Sequence, residues 1–334
     1  MRTIQTILGN LALCCLMFSC SGLTSAAGEL ELVEVHKIWD KAPHNAFTDL
    51  IRYHDQWICV FREGQKHVSP DGAIRVLTST DGEQWKSAAR LTSETSDLRD
   101  AKISITPDGR LMLVAAGALH DPDPVRHQTY VWFSSDGTHW SEPQAIGEPN
   151  FWMWRVVWHD DVAYGVGYAT HPDLPAITRL YRSEDGVHFT TLVDTLFDKG
   201  YSNEVALVFQ PDETALCLMR RDGNNGTAQL GTSKPPYNSW SWKDLGVRVG
   251  GPQMIRLEDG RLLATVRLYD GKVRTSVCEV DAQRGKLTEK LTLPSGGDTS
   301  YAGMVLEGET LWISYYSSHE GRTSIYLAKV RVGK

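Results

Sequence analysis

Three phrases decide how this chain folds: S-T-D-G-E-Q-W from Ser79 to Trp85, S-S-D-G-T-H-W from Ser134 to Trp140, and S-E-D-G-V-H-F from Ser183 to Phe189. Their starts are 55 and 49 residues apart, and a degenerate copy, S-K-P-P-Y-N-S-W, opens at Ser233 another 50 residues on. A repeat of this length marks a supersecondary unit that stacks on copies of itself. Within each phrase Asp-Gly predicts a tight turn, with glycine at positive φ and the Asp and Ser side chains holding backbone N–H groups. The closing aromatic is expected to pack between neighbouring sheets. Asp81, Asp136 and Asp185 are therefore read as turn residues, not catalytic ones.

The segments between the phrases repeat an order of short apolar run, turn and strongly hydrophobic strand. Asp49 to Arg62 shows it, as do Lys102 to Ala116, Val156 to Tyr168, Val205 to Arg220, Met254 to Arg267 and Met304 to Tyr316. No long helical periodicity interrupts them. Regular short strands with one motif per unit predict an all-β chain, a six-bladed β-propeller of four-stranded antiparallel blades. The units fall near 43–92, 98–147, 151–198, 201–249, 251–296 and 298–320. The last lacks a fourth strand, which Leu30 to Ile38 can supply, closing the ring and removing an exposed edge.

The 334 residues carry a net charge of −7 and no long basic tract, which argues against nucleic acid as a partner. Met1-Arg2 followed by the apolar run Leu8 to Phe18 reads as an export leader over residues 1–27, with residues 28–334 forming one domain. Ser25-Ala26-Ala27 fits a secretory cleavage site, whereas Met17-Phe18-Ser19-Cys20 fits a loose lipoprotein box with a lipid anchor on Cys20. Either exit predicts an exported bacterial protein, which would be periplasmic, anchored to the outer membrane or secreted. No other segment is apolar and long enough to span a bilayer. Cys59, Cys217 and Cys278 are too scattered for a disulfide framework and read as small buried hydrophobes. No C-x-x-C, H-E-x-x-H or D-x-D-x-D-G spacing occurs, so no metal or other cofactor is expected. The chain is expected to act as a monomer.

With its repeated Ser-x-Asp-Gly-x-x-aromatic phrases, the sequence resembles the sialidase (neuraminidase) superfamily. That family's Asp-box, or bacterial neuraminidase repeat, marks the outer turns of a six-bladed propeller. The copies here are one residue shorter, and the resemblance covers most of residues 43–320. It implies a glycoside hydrolase of exo-α-sialidase type acting on terminal acidic sugars of glycans. A substrate carboxylate at the anomeric carbon would repel an anionic nucleophile, so this chemistry uses a neutral Tyr with a Glu as its base. Arginines grip the carboxylate, and an acid protonates the leaving oxygen.

Carried over by motif, the resemblance points to Tyr301 in D-T-S-Y-A-G as nucleophile and Glu204 in S-N-E-V as its base. Arg220 or Arg221, with Arg221 favoured, and Arg267 in L-A-T-V-R would supply two arginines of the clamp. Asp71 in S-P-D-G-A-I-R is the acid that the resemblance implies, with Glu63 and His67 in reserve. One departure is plain. Where the family places its first arginine, this chain reads P-H-N-A-F-T-D-L, with His44 or Asn45 at that place. Arg62 from the neighbouring strand or Arg155 from the third unit would have to replace it, and another acidic or a neutral sugar comes into play. A glycosidase with carboxylate catalysts among Glu63, Asp100 and Glu204 is one alternative. A non-catalytic carbohydrate-binding propeller, using F-W-M-W at 151–154 and Y-N-S-W-S-W at 237–242, is another.

Overall fold

The computed structural model describes residues 29–224 and 226–333, so the expected leader and Cys20 lie outside the described residues. Strand β1 (Leu30–Trp39) comes first. Blade one follows with β2 (His44–Tyr53), β3 (Gln56–Gly64), β4 (Ala73–Ser79) and β5 (Lys86–Leu91). Blade two holds β6 (Ser96–Ile105), β7 (Leu111–Leu119), β8 (His127–Ser134) and β9 (Gln144–Ile146), and blade three β10 (Phe151–His159), β11 (Val162–Ala169), β12 (Thr178–Ser183) and β13 (Thr190–Phe197). Blade four holds β14 (Ser202–Phe209), β15 (Ala215–Arg221), β16 (Gln229–Ser233) and β17 (Ser241–Asp244), and blade five β18 (Val249–Arg256), β19 (Leu262–Leu268), β20 (Arg274–Asp281) and β21 (Lys286–Thr292).

The sixth blade runs β22 (Thr299–Glu307), β23 (Thr310–Ser317) and β24 (Ser324–Val332), with β1 paired antiparallel outside β24 from Leu30↔Val332 to Trp39↔Ile325. The ring is closed by the N-terminal strand as the sequence predicts. The sixth unit, however, reaches Val332, not 320, because Ser324–Val332 supplies a third strand of its own before β1 adds the fourth.

The repeated phrases sit between the third and fourth strands of blades one to three. In the first, Ser79 Oγ accepts from Gly82 N (2.8 Å), and Asp81 Oδ1 accepts from Glu83 N (2.8 Å) and Gln84 N (2.9 Å). The backbone N–H groups of Gln84 and Glu83 and the Ser79 hydroxyl hold the Asp81 carboxyl down at about 2. Gly82 has φ 76°, and a Cβ there would lie 2.5 Å from the Trp312 ring of blade six, so the turn excludes a side chain on two counts. Trp85 and Trp140 donate their indole N–H to Gly82 O and Gly137 O. In the degenerate copy Tyr237, at φ 62°, takes the glycine's place and receives the N–H of Trp240.

The core lies between adjacent blades. Trp57 meets Trp312 with ring centroids 4.5 Å apart, and His159 stacks on Phe209 at 4.1 Å. The described cysteines, Cys59, Cys217 and Cys278, are buried free thiols, and burial pushes that of Cys278 up to about 12.

All six innermost strands share one irregularity. The pairing with the second strand slips between Ala46 and Asp49, Arg99 and Lys102, Met153 and Arg155, Ser202 and Val205, Gly250 and Gln253, and Ser300 and Gly303. In five blades two residues oppose one; in blade three Trp154 alone is extra. Phe47, Asp100, Gly251 and Tyr301 occupy these bulges in left-handed backbone, at φ 62°, 55°, 53° and 54°. A β-bulge re-aims the side chains it carries, and here the six converge on the propeller axis.

Candidate active site

The blade-four bulge sets Asn203 and Glu204 against Arg220. Glu204 Oε1 accepts from the Tyr301 hydroxyl (2.6 Å) and from Arg220 Nη1 (2.8 Å), while Oε2 accepts from Gly251 N (2.9 Å). Arg220 Nη1 also reaches the Tyr301 oxygen at 3.0 Å. The rest of its guanidinium forks onto Asp222 at 3.1 and 2.9 Å, and Asn203 Nδ2 braces that carboxylate at 2.8 Å. Bidentate pairing fixes the arginine in direction as well as place. Burial, then the Glu204 charge, raise the Tyr301 phenol well above its usual range, so it keeps its proton until a base removes it.

Around this triad stand residues of contrasting character. The Arg267 guanidinium lies 5.3 Å from the Tyr301 ring and 5.7 Å from that of Tyr269, and among the described residues no carboxylate pairs with it. Its Nε is buried without an acceptor. Asp100 is buried, its Oδ1 has no partner, and burial together with the Glu204 charge lifts its carboxyl to about 6 against the opposing pull of Lys102. Lys102, itself buried and lowered to about 8 by desolvation and Arg155, donates to Thr48 O (3.0 Å) and sits 4.9 Å over the Trp154 ring. Phe47 and Trp154 close on Tyr301 at 5.0 and 5.4 Å, and Tyr168 stacks on Trp152 beside them.

The structure thus gathers Tyr301, Glu204, Arg220, Arg267 and Asp100 at one end of the axis, with His67 at the rim edge-on to Phe47 (5.0 Å). The other expected residues are placed elsewhere. Arg221 pairs with Ser202, one step from Arg220, so the pleat sends it to the opposite face, onto Thr227 O (2.7 Å) and Asp244 (3.1 Å). Arg62 is buried and fastens the β3–β4 loop, bonding Asp97 (3.0 Å), Lys66 O (2.8 Å) and Ser69 O (3.2 Å). Glu63 is taken up by Trp39 Nε1 (2.7 Å) and Arg75 (2.8 Å).

Asp71 lies in an exposed turn. Burial is the largest single influence and works against its charged form, but the Ser69 hydroxyl, the Gln65 N–H and the Arg62 charge together outweigh it, so the carboxyl is lowered, the wrong direction for a proton donor at neutral pH. Asn45 is wholly buried on Ala42 O and Thr323 O, both at 2.9 Å. Arg155 pairs with Asp49 at 2.8 Å, near a hollow of about 350 Å³ that opens at the far end of the axis.

Sequence reasoning passed over Phe47, Lys102 and Asp298. Asp298 opens the D-T-S-Y motif, and its carboxylate collects His44, His67 and the Tyr316 hydroxyl.

No protein-family model matches the chain, and no curated protein matches its sequence. Solved structures do match. A Dyadobacter fermentans protein of unknown function aligns with TM-score 0.80 at 19% identity, over 91% of this chain and 99% of its own. An α-L-arabinofuranosidase from Fusarium graminearum, solved with an iminosugar inhibitor, aligns with TM-score 0.70 at 12% identity, over 90% and 98%. The Trypanosoma rangeli sialidase bound to the inhibitor DANA aligns with TM-score 0.70 at 13% identity, over 91% of this chain but 60% of its own. What these proteins have in common with this chain is its six-bladed propeller fold.

Proposed function

We propose that this protein is a glycoside hydrolase that removes a terminal acidic sugar, with Tyr301 as nucleophile, Glu204 as its base and Asp100 as general acid. The observation that carries this reading is the buried Tyr301–Glu204–Arg220 triad, with its 2.6 Å phenol–carboxylate contact. A protonated phenol can approach an anomeric carbon that already bears a carboxylate, where an anionic nucleophile would be repelled. As the Tyr301 oxygen bonds to that carbon, its proton passes to Glu204 Oε1 and Arg220 Nη1 steadies the developing charge. Asp100, protonated up to about pH 6, gives its proton to the leaving oxygen. Asp100 as carboxylate then deprotonates the water that replaces Tyr301, and Glu204 returns the proton to the phenol.

Arg267 is the natural partner of the sugar's carboxylate, because a buried guanidinium without a counter-charge is costly until an anion arrives. Likeness in fold to sialidase and arabinofuranosidase structures supports glycoside hydrolysis as the class. The apolar run Leu8 to Phe18, read as an export leader, supports action outside the cytoplasm.

A second reading is favoured by Phe47, an apolar ring that lies beside Tyr301 on the strand where the resemblance expects an arginine at His44 or Asn45, and by Arg220, already spent on Asp222. Among the described arginines beside Tyr301, only Arg267 is then free for an anion, which suits a neutral-sugar glycosidase that uses Glu204 and Asp100 as its carboxylate pair. A panel of 4-methylumbelliferyl sialoside, glucuronide and arabinofuranoside separates the two. Tyr301→Phe should cost a hundredfold or more, on the order of one catalytic group, under the first reading and little under the second. Glycan binding without turnover of any substrate would sink both.

A further inference from the structure

The rim of the axial site carries another cluster. His44 opens β2, His67 lies in the β3–β4 loop, and Asp298 directly precedes β22. Asp298 Oδ2 stands 3.1 Å from His44 Nε2 and 2.7 Å from His67 Nδ1, and the three atoms lie within 4.8 Å of one another. Asp298 is 254 and 231 residues from these histidines, so closure of the ring brings them together. The other carboxylate oxygen accepts from the Tyr316 hydroxyl at 2.7 Å, which leaves Oδ2 facing both imidazoles.

We propose that His44 Nε2, His67 Nδ1 and Asp298 Oδ2 form a binding site for a divalent transition metal of the zinc class. Two imidazole nitrogens and one carboxylate oxygen are a donor set that zinc takes readily, and three protein ligands leave a fourth position for water or substrate. Tetrahedral bonds of 2.0–2.1 Å separate neighbouring ligand atoms by about 3.3 Å, so the Asp298 oxygen must retreat by a few tenths of an ångström, and the two imidazole nitrogens, which lie within 4.8 Å of each other, must reach that same separation. The Tyr316 hydroxyl is the outer partner that holds a ligating carboxylate in direction. His44 is buried and His67 half exposed, so the pair is anchored at one end and open at the other. The sequence gives no hint of the site because its ligands follow no local spacing. Two other groups have similar donors but lie away from the axial site: Glu34 and His36 of the outer strand β1 with Glu83 of the β4–β5 turn, and His159 and Asp160 at the β10–β11 turn with Glu213 of the β14–β15 turn.

A cation here would bring positive charge to the side of the pocket that lacks an arginine. That consequence rests on the glycosidase reading; metal binding itself does not. The test is zinc titration of the chelator-treated full chain by calorimetry, with cobalt(II) absorption as a second readout. One equivalent should bind, and His67→Ala and Asp298→Asn should each weaken binding about a hundredfold or more, with Tyr316→Phe about tenfold. His159→Ala should leave that equivalent intact. Because His67 is exposed, its variant tests the site without threatening the fold, and a circular dichroism melt checks that. Equal zinc uptake by wild type, His67→Ala and Asp298→Asn would overturn the proposal. Sugar turnover is scored separately, so failure of catalysis and failure of metal binding are told apart.

Discussion

Replacing Asp100 with Asn should stabilise the protein at alkaline pH while disabling it. Burial raises the Asp100 carboxyl from the usual aspartate value of 3.8 to about 6. At 1.36 kcal/mol per pH unit, holding the ionised form in the fold costs about 3 kcal/mol. The direction follows from proton linkage: between these two values the folded state binds more protons than the unfolded one, so stability falls as pH rises through 6. Wild type should therefore recover on the order of 1 kcal/mol between pH 8 and pH 5. Asparagine, without a charge, escapes the penalty. Its advantage should approach about 3 kcal/mol at pH 8 and shrink to about half that at pH 5. Thermal melts of both proteins at the two pH values measure this, at roughly 2 °C per kcal/mol for a chain of this size. On substrates with poor leaving groups the variant should lose a factor of about 10² to 10⁴ in kcat/KM, and much less in kcat/KM on an aryl glycoside that needs no acid, where only the later attack of water is slowed. An advantage that is the same at both pH values, or an equal loss on both substrate types, would refute the assignment.

Glu204→Gln should abolish most turnover under either catalytic reading, and comparison with Tyr301→Phe on one identified substrate distinguishes them. Arg267→Met should raise KM for an acidic substrate at least tenfold while changing KM for a neutral one little; Michaelis–Menten analysis on paired substrates reads this. Asp49→Asn strands the buried Arg155 guanidinium, so unfolding in urea should show a loss of about 3–5 kcal/mol. Gly251→Ala places a Cβ 2.9 Å from the Tyr301 ring, in left-handed backbone whose N–H holds Glu204. It should lower kcat more than it raises KM.

The propeller was legible because its turns repeat a motif with a physical job, which the Ser79–Asp81–Gly82 hydrogen bonds perform. That Tyr301 and Glu204 meet was legible from their motifs. The choice between Arg220 and Arg221 was not, because facing direction depends on parity along the strand, and one bulge opposite Arg220 resets it. Arg62 and Glu63 border an apolar strand as axial residues would, yet each is spent on local partners, Asp97 and Trp39. The meeting of His67 with Asp298 exists only once the last blade closes on the first, and no window of sequence contains both.

The irregular step in each inner strand has an evolutionary corollary. The ladder resumes regular pairing on either side of the extra residue, although the residue itself ranges from Gly to Trp. Phe47, Asp100, Trp154, Glu204, Gly251 and Tyr301 thus behave as fittings in six sockets of one frame. Exchanging a fitting alters what the pocket presents without rethreading a strand, so under the proposed function a change of sugar specificity needs few substitutions and leaves the frame in place.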